Sequence, residues 1–410
     1  MKQKPAHAPL SQFPVVDDQL IVGGMGLKQI LHRVGATPFY AYDRHAIEQR
    51  INELRDQLPE GIDLHYAIKA NPFPPVVKLL AGMVDGLDIA SAGELELALD
   101  SGMLPANISF AGPGKTDREL AAAIGAGITL NVESLNELRR IDQTGKTSGI
   151  RPRVALRVNP DFELKSSGMR MGGGARPFGI DSELVPEVLD QLKTMHLEFR
   201  GLHIFSGSQN LRPERLMEAQ NASFELACRI ARQADVELHT LNIGGGFGIP
   251  YFPGEQRLDV TPIMQNLHQQ ATACRAQLGP VRIILELGRY LVGEAGVYIC
   301  RIIDRKVSRG KTYLIADGGL HHHLAASGNF GQVIRKNYPV LNPERVYGGP
   351  RETLTVVGPL CTPLDILADD VEIGAAEVGD HIAVLQSGAY GYSASPLGFL
   401  SHPPPTQHLF

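Results

Sequence analysis

The chain has 410 residues, a formal net charge of -5 and a pI near 6.3, so it lacks the basic excess with which proteins neutralise nucleic-acid phosphates. With 43% hydrophobic and 20% charged residues it reads as an ordinary globular sequence. No stretch reaches the roughly eighteen uninterrupted apolar residues of a membrane span. The opening MKQKPAHAPLSQFPVV has no apolar segment behind its lysines, so no secretory signal is expected. The cysteines, at 228, 274, 300 and 361, are scattered, which suits free thiols in a reducing cytoplasm.

In chain order, TPFYAYD (37–43) reads as a first strand. From residue 62 to 292 eight short apolar stretches follow: IDLHYAIKA, VDGLDIAS, NISFAG, GITLNVES, RVALRVNP, FRGLHIFSGS, LHTLNIGGGFG and RIILELGRYLV. Segments between them, such as AGELELALDSG, KTDRELAAAIGAG and SLNELRRIDQTG, space apolar residues three and four apart, as amphipathic helices do. Eight such alternations over about 230 residues predict a closed (β/α)8 barrel of the TIM type, in the α/β class. Its chemistry belongs at the carboxyl ends of the strands, where the sequence places Lys69, Ser91, Gly112 with Gly114, Asn131 with Glu133, Arg157 with Asn159, His203 to Ser208, Gly244 to Gly246, and Glu286 with Arg289. Beyond the barrel, 297–307, 311–317, 352–360 and 381–389 read as strands without regular helices between them, as in an antiparallel β domain. HPPPTQ (402–407) reads as a disordered tail. The expected organisation is a barrel over 44–285 and a discontinuous β domain built from 1–43 and 286–410.

Several motifs carry candidate chemistry. In DLHYAIKANPF (63–73), strand alternation puts His65, Ala67 and Lys69 on one face; taken alone, a strand-end lysine simply reaches water. NIGGGFGIPY (242–251) comes too late in the chain for a dinucleotide fingerprint. Its glycines let backbone N–H groups converge on an anion, and a phosphate site after the seventh strand recurs in barrels, although a plain tight turn fits equally well. In ELGRYLVGEAG (286–296), Arg289 suits a phosphate. Glu286 either pairs with Arg289 or faces a heterocyclic nitrogen. One group satisfies all three features: pyridoxal phosphate, with its aldehyde on Lys69 as a Schiff base, its phosphate on the glycine loop and Arg289, and its ring nitrogen on Glu286. Cys361, in VVGPLCTPLDIL, is either a small buried hydrophobe or a proton donor. Tyr390 and Tyr392, in QSGAYGYSAS, cap an anion or pack a turn. The HHH run at 321–323 has no further ligand at a recognisable spacing, so no metal site is expected.

YAIKAN, DIASAGELE, RVNP, the histidine-to-GSQ strand, IGGGFG, ELGR, GPLCTPLD and SGAYG occur in an order that resembles the pyridoxal-phosphate decarboxylases acting on ornithine, arginine and diaminopimelate, from about Gly35 to about Pro403. The resemblance implies an alanine-racemase-like barrel with a β domain, and a head-to-tail homodimer whose active sites are shared between subunits. It gives Lys69 as the Schiff-base lysine and Cys361 as the proton donor, reaching the partner subunit's site. Cofactor contacts fall to Asp88, Arg157, His203, Phe205, Ser208, Gly244, Gly245, Gly246, Glu286, Gly288, Arg289 and Tyr390, and substrate contacts to Arg335, Tyr338, Thr362 and Asp365.

Two positions depart from the family pattern. Phe205 stands where a histidine usually covers the cofactor ring, with His203 two residues earlier, and Thr362 stands where an acidic residue usually meets the substrate's distal ammonium. A neutral threonine weakens the case for a free diamino acid, since a buried ammonium without a partner is costly. MRMGGGARPFGID and GGLHHHLAASGNFGQVIRKNYPV resemble the subgroup associated with exosortase A loci, and a related branch decarboxylates amino acids tethered to carrier proteins. The expected activity is therefore α-decarboxylation of an amino acid or a derivative, with an acyl carrier protein as a candidate partner. The alternatives are a diaminopimelate- or ornithine-type decarboxylase and an amino-acid racemase.

Overall fold

The computed structural model describes residues 5–162, 169–170, 172–332 and 334–410. Met171 and Val333, in the two stretches of the subgroup resemblance, lie outside the described residues. The chain forms two compact units: Asn52–Gly248 with Leu258–Gly288, and Met1–Ile51 with Ile249–Arg257 and Arg289–Phe410. Residues 249–257, expected in the barrel, thus group with the β unit, as do residues 44–51 and unlike 286–288.

The first unit is a closed parallel barrel whose strands are Ile62–Ala67, Gly86–Ile89, Ile108–Phe110, Thr129–Val132, Arg153–Asn159, Glu198–Ile204, Thr240–Gly245 and Arg282–Leu287. All eight apolar stretches became strands because a parallel sheet covered by helices buries both of its faces and so selects continuous apolar runs; in Arg153–Asn159 only the first residue escapes full burial. Closure comes from the pairing of the eighth strand with the first, which sets Glu286 opposite His65. Helix starts follow the strand ends closely and are fixed by capping residues. The Ser91 side chain accepts the Glu94 N–H, Thr116 and Glu119 form a reciprocal capping box, and Ser134 accepts the Glu137 N–H. One expectation fails here: the first strand ends at Ala67, and Ile68–Ala70 form a single 3-10 turn, so Lys69 does not continue the strand's alternation.

A buried ionic network ties the third, fourth and fifth strand ends together. Lys115, 4% exposed, donates to the Gly112 and Asn131 carbonyls and to Glu137 Oε1 at 2.7 Å. Glu137 Oε2 accepts the Glu133 N–H, and Glu133 in turn accepts from Arg157 Nη1, also at 2.7 Å, and from the Gly112 and Gly179 amides.

The second unit is mostly sheet. Its long central strand, Gly296–Ser308, pairs with Lys311–Ala316 along one half and with His381–Val384 and Phe39–Tyr42 along the other. Arg351–Val357, Ile366–Gly374 and Val340–Leu341 extend it. The sheet is mixed, correcting the antiparallel expectation: Lys311–Ala316 runs parallel to Arg351–Val357, and Thr406–Leu409 runs parallel to Phe39–Tyr42. The latter pair also overturns the disordered tail, because the backbone of 406–409 completes the ladder of a strand already at the sheet's edge. A core of Phe13, Leu20, Leu27, Ile30, Phe39, Val297 and Leu385 joins the amino-terminal segment to this sheet. Among the described residues no helix is long and apolar enough to cross a membrane.

Lys115→Met should lower the unfolding free energy in urea by about 3 kcal/mol, since Glu137 is left charged and uncompensated inside the barrel.

Candidate active site

At the carboxyl end of the barrel the structure gathers three ionisable side chains from distant parts of the sequence. Lys69 stands on the turn after the first strand, Asp88 on the second strand in register with Ala67, and Glu286 on the eighth. Asp88 and Glu286 are 2% and 4% exposed, yet their surroundings push them in opposite directions. Burial and then the Glu286 charge push the Asp88 carboxyl well above the usual carboxylate range, against the pull of Lys69 and the hydrogen bond that Ser109 donates at 3.0 Å. Burial acts on Glu286 in the same sense but is outweighed by the His203 ring, whose Nε2 lies 3.3 Å from Oε2, by the Lys69 charge, and by the Asn242 amide donating at 3.0 Å. Glu286 is held well below its ordinary value. Burial pushes His203 down, with Glu286 opposing. One carboxyl therefore favours its proton and the other its charge, the separation that lets neighbouring acids take different roles.

Asn242, Ser109 and Glu94 were not singled out by sequence. Glu94 lies mostly buried on the first turn after the second strand and accepts the Ala90 N–H at 2.6 Å. Burial raises it, with Lys69 opposing. The readable signal for Glu94 was the Ser91 cap preceding it; Asn242 and Ser109 carry none, because an asparagine or serine inside an apolar strand acquires its partner only when the barrel closes.

The seventh strand runs into the glycine turn. Gly244 adopts φ +65°, and a side chain there would meet the Phe205 ring at 2.5 Å; Gly246 adopts φ +78° against the Gly207 carbonyl. Asn242 Oδ1 accepts the Gly244 N–H at 2.8 Å and so fixes the turn. Gly245 lies in register with Glu286, and Gly288 packs on Ala67 and Ala70. Phe205 presents its ring to Lys69, with Nζ 5.7 Å from the ring centre. Ser208 Oγ is buried without a hydrogen-bond partner among the described residues. Arg157 is engaged with Glu133 and lies over the Phe178 ring, so it braces the strand ends.

In the β unit, Arg289 opens the short helix Arg289–Val292 and donates Nη1 to the Tyr251 hydroxyl at 2.8 Å, with its guanidinium over the Tyr251 and Tyr390 rings. Tyr251 stacks on Tyr338, ring centres 4.6 Å apart. Tyr251 was missed by sequence, although it closes the same IGGGFGIPY run. Cys361 is exposed and Thr362 half-buried, while Cys228, Cys274 and Cys300 are buried. Two residues expected to hold substrate are engaged with the backbone. Asp365 is 2% exposed, with its oxygens accepting the Leu320 and Leu360 amides at 2.6 and 2.8 Å, so it staples two loops. Arg335 spends both terminal nitrogens on the Ser327 and Ile366 carbonyls. In the histidine run, His322 Nε2 meets the Pro403 carbonyl and His323 Nε2 meets Ser387 Oγ.

Residues 44–293 match the family model for the pyridoxal-binding domain of pyridoxal-dependent decarboxylases. The chain is 39% identical to the L-glutamyl-(BtrI acyl-carrier protein) decarboxylase of Niallia circulans over 91% of this chain and 88% of that one. It is 34% identical to the diaminopimelate decarboxylase of Aquifex aeolicus, covering 92% and 88%. The crystal structure of diaminopimelate decarboxylase from M. jannaschii in complex with L-lysine superposes with a TM-score of 0.88 at 25% identity, over 98% of this chain and 93% of that one.

The opposed carboxyls should be visible in stability. Glu286 is depressed in the folded chain, so its contribution is complete above its ordinary value of 4.5 and declines as the pH falls below it. Asp88 is raised, so its contribution is present at low pH and is lost as the pH rises through its elevated value. At neutral pH, Glu286→Gln should lower the urea midpoint and flatten its acid-side slope, whereas Asp88→Asn should leave the midpoint unchanged or raise it.

Proposed function

Because the chain belongs to the pyridoxal-dependent decarboxylase family, whose cofactor is pyridoxal phosphate, we propose that it removes the α-carboxyl group of an amino acid whose distal end is linked to a carrier protein. The barrel's donor set fits the cofactor's three handles. Lys69 supplies the amine for the aldehyde, Glu286 a buried carboxylate for the ring nitrogen, and the glycine turn with the unpartnered Ser208 hydroxyl a cradle for the phosphate. When bound, the cofactor supplies an electron sink for the pair left behind by departing carbon dioxide.

The chain's own groups do the rest. Glu286, kept ionised by His203, Lys69 and Asn242, holds a proton on the ring nitrogen and so maintains the sink. Asp88 and Glu94, both raised by burial and both within electrostatic reach of Lys69, are groups that take and return its proton. Phe205 presents an apolar ring face to the lysine. In this proposal Arg289, oriented by Tyr251 and Tyr390, adds charge for the phosphate. The exposed Cys361 thiol delivers a proton to the α carbon in a second copy of the chain, which makes the working form a homodimer.

Thr362 carries the substrate assignment. Its hydroxyl accepts the Leu364 N–H at 3.4 Å, and the nearby Asp365 carboxylate is consumed by backbone amides, so this segment offers no charge to a distal ammonium. A substrate whose distal end is a neutral acyl link needs none, which agrees with the carrier-linked substrate in the name of the Niallia circulans relative.

The Lys69→Ala protein should lose the visible absorbance of bound cofactor; an unchanged spectrum removes Lys69 from its role. Carbon dioxide release should be greater from carrier-linked amino acids than from free ornithine, lysine or diaminopimelate. A charge-assisted bond is worth about 1.5–3 kcal/mol, so Thr362→Glu should raise kcat/KM for a free diamino acid by roughly ten- to a hundredfold.

A further inference from the structure

A cavity of about 40 Å³ in the barrel is lined by His65, Ser109, Asn131 and Asn242, with Arg200 and Arg282 toward the strand starts. His65 is 2% exposed, and neither of its ring nitrogens has a hydrogen-bond partner among the described residues; the Asn131 amide nitrogen is likewise unpaired. The ring packs closely against Gly86, where even a Cβ would collide with it at 2.4 Å. A dry cavity would leave these three buried polar atoms with none of the hydrogen bonds they make to water in the unfolded chain. A buried water needs roughly 10–15 Å³ and two to four polar neighbours, so the chamber has room for about three.

Two of the lining side chains reach upward into the active site. Ser109 Oγ donates to Asp88 Oδ1, and Asn242 Nδ2 donates to Glu286 Oε2, both at 3.0 Å. Asn242 also receives the Gly244 N–H, so a change in its orientation reaches both the carboxylate and the glycine turn. Ser109 gives its only proton to Asp88, which leaves its lone pairs to accept from inside the chamber.

We propose that this chamber holds ordered water, and that His65 acts through it as a positioning residue, fixing the hydrogen bonds that Ser109 gives Asp88 and Asn242 gives Glu286. The proposal rests on the assignment of Glu286 and Asp88 to the active site. The charged groups around His65 are Arg282 and Glu286 on the eighth strand, Asp63, which pairs with Arg282, Asp85 and Asp88 at the second strand, and Arg200 at the sixth. Burial first, then Arg282, pushes His65 down to about 4, with Glu286 and Asp85 opposing. The ring is thus neutral at working pH and offers the water one donor and one acceptor.

A high-resolution crystal structure of the purified protein should show ordered water within hydrogen-bond distance of His65 and Asn131; a dry chamber overturns the proposal. In the holoenzyme, His65→Leu should shift the pH midpoint of the cofactor's absorbance transition by about half a unit or more and lower kcat about tenfold with KM little changed. His65→Gln, which keeps polar atoms, should restore the parent midpoint. An unmoved midpoint in folded His65→Leu refutes the positioning role, and Asn131→Leu takes its place if that variant is not recovered folded. A parent protein that binds no cofactor defeats the decarboxylase assignment separately, since the water is read without it.

Discussion

Pairing of the eighth strand with the first is the constraint on which the rest depends. It closes the barrel, sets Glu286 opposite His65, and brings the lysine that follows strand one within electrostatic reach of a carboxylate more than two hundred residues later. Once the ring is closed, helix caps at Ser91, Thr116 and Ser134 start helices directly after the strand-end loops. The groups at that end are held by scaffold more than by their own flexible stems.

The candidate site rests on one physical contrast. Two carboxyls with nearly equal burial are driven apart because their partners differ: Asp88 faces the Glu286 charge with the Lys69 cation and one hydroxyl against it, whereas Glu286 has a histidine, the same cation and an amide. Desolvation alone would neutralise both. His203 and Asn242 overcome that penalty at Glu286, whereas the single Ser109 hydroxyl does not overcome it at Asp88. The chamber below them continues the same polar column into the barrel's interior.

The β unit obeys another logic. Its tyrosines 251, 338 and 390 collect around Arg289, where aromatic faces and one hydroxyl orient a guanidinium that makes no ion pair among the described residues. Asp365 and Arg335 show the opposite fate. Each resembled a substrate group in sequence, and each is occupied by backbone hydrogen bonds that stitch loops together.

The sequence by itself determined the barrel, its eight strands, and the lysine, glycine turn and glutamate at their ends, because parallel strands buried on both faces and special backbone turns leave local patterns of residue type. Tertiary structure alone decided the end of the first strand before Lys69, the strand formed by the Pro-rich tail, the mixed direction of the second sheet, and the partners of Asp88, Asn242, Asp365 and His65. The reason is physical: a side chain's type is written at its own position, but its protonation and its hydrogen bonds belong to neighbours that only the closed fold brings near.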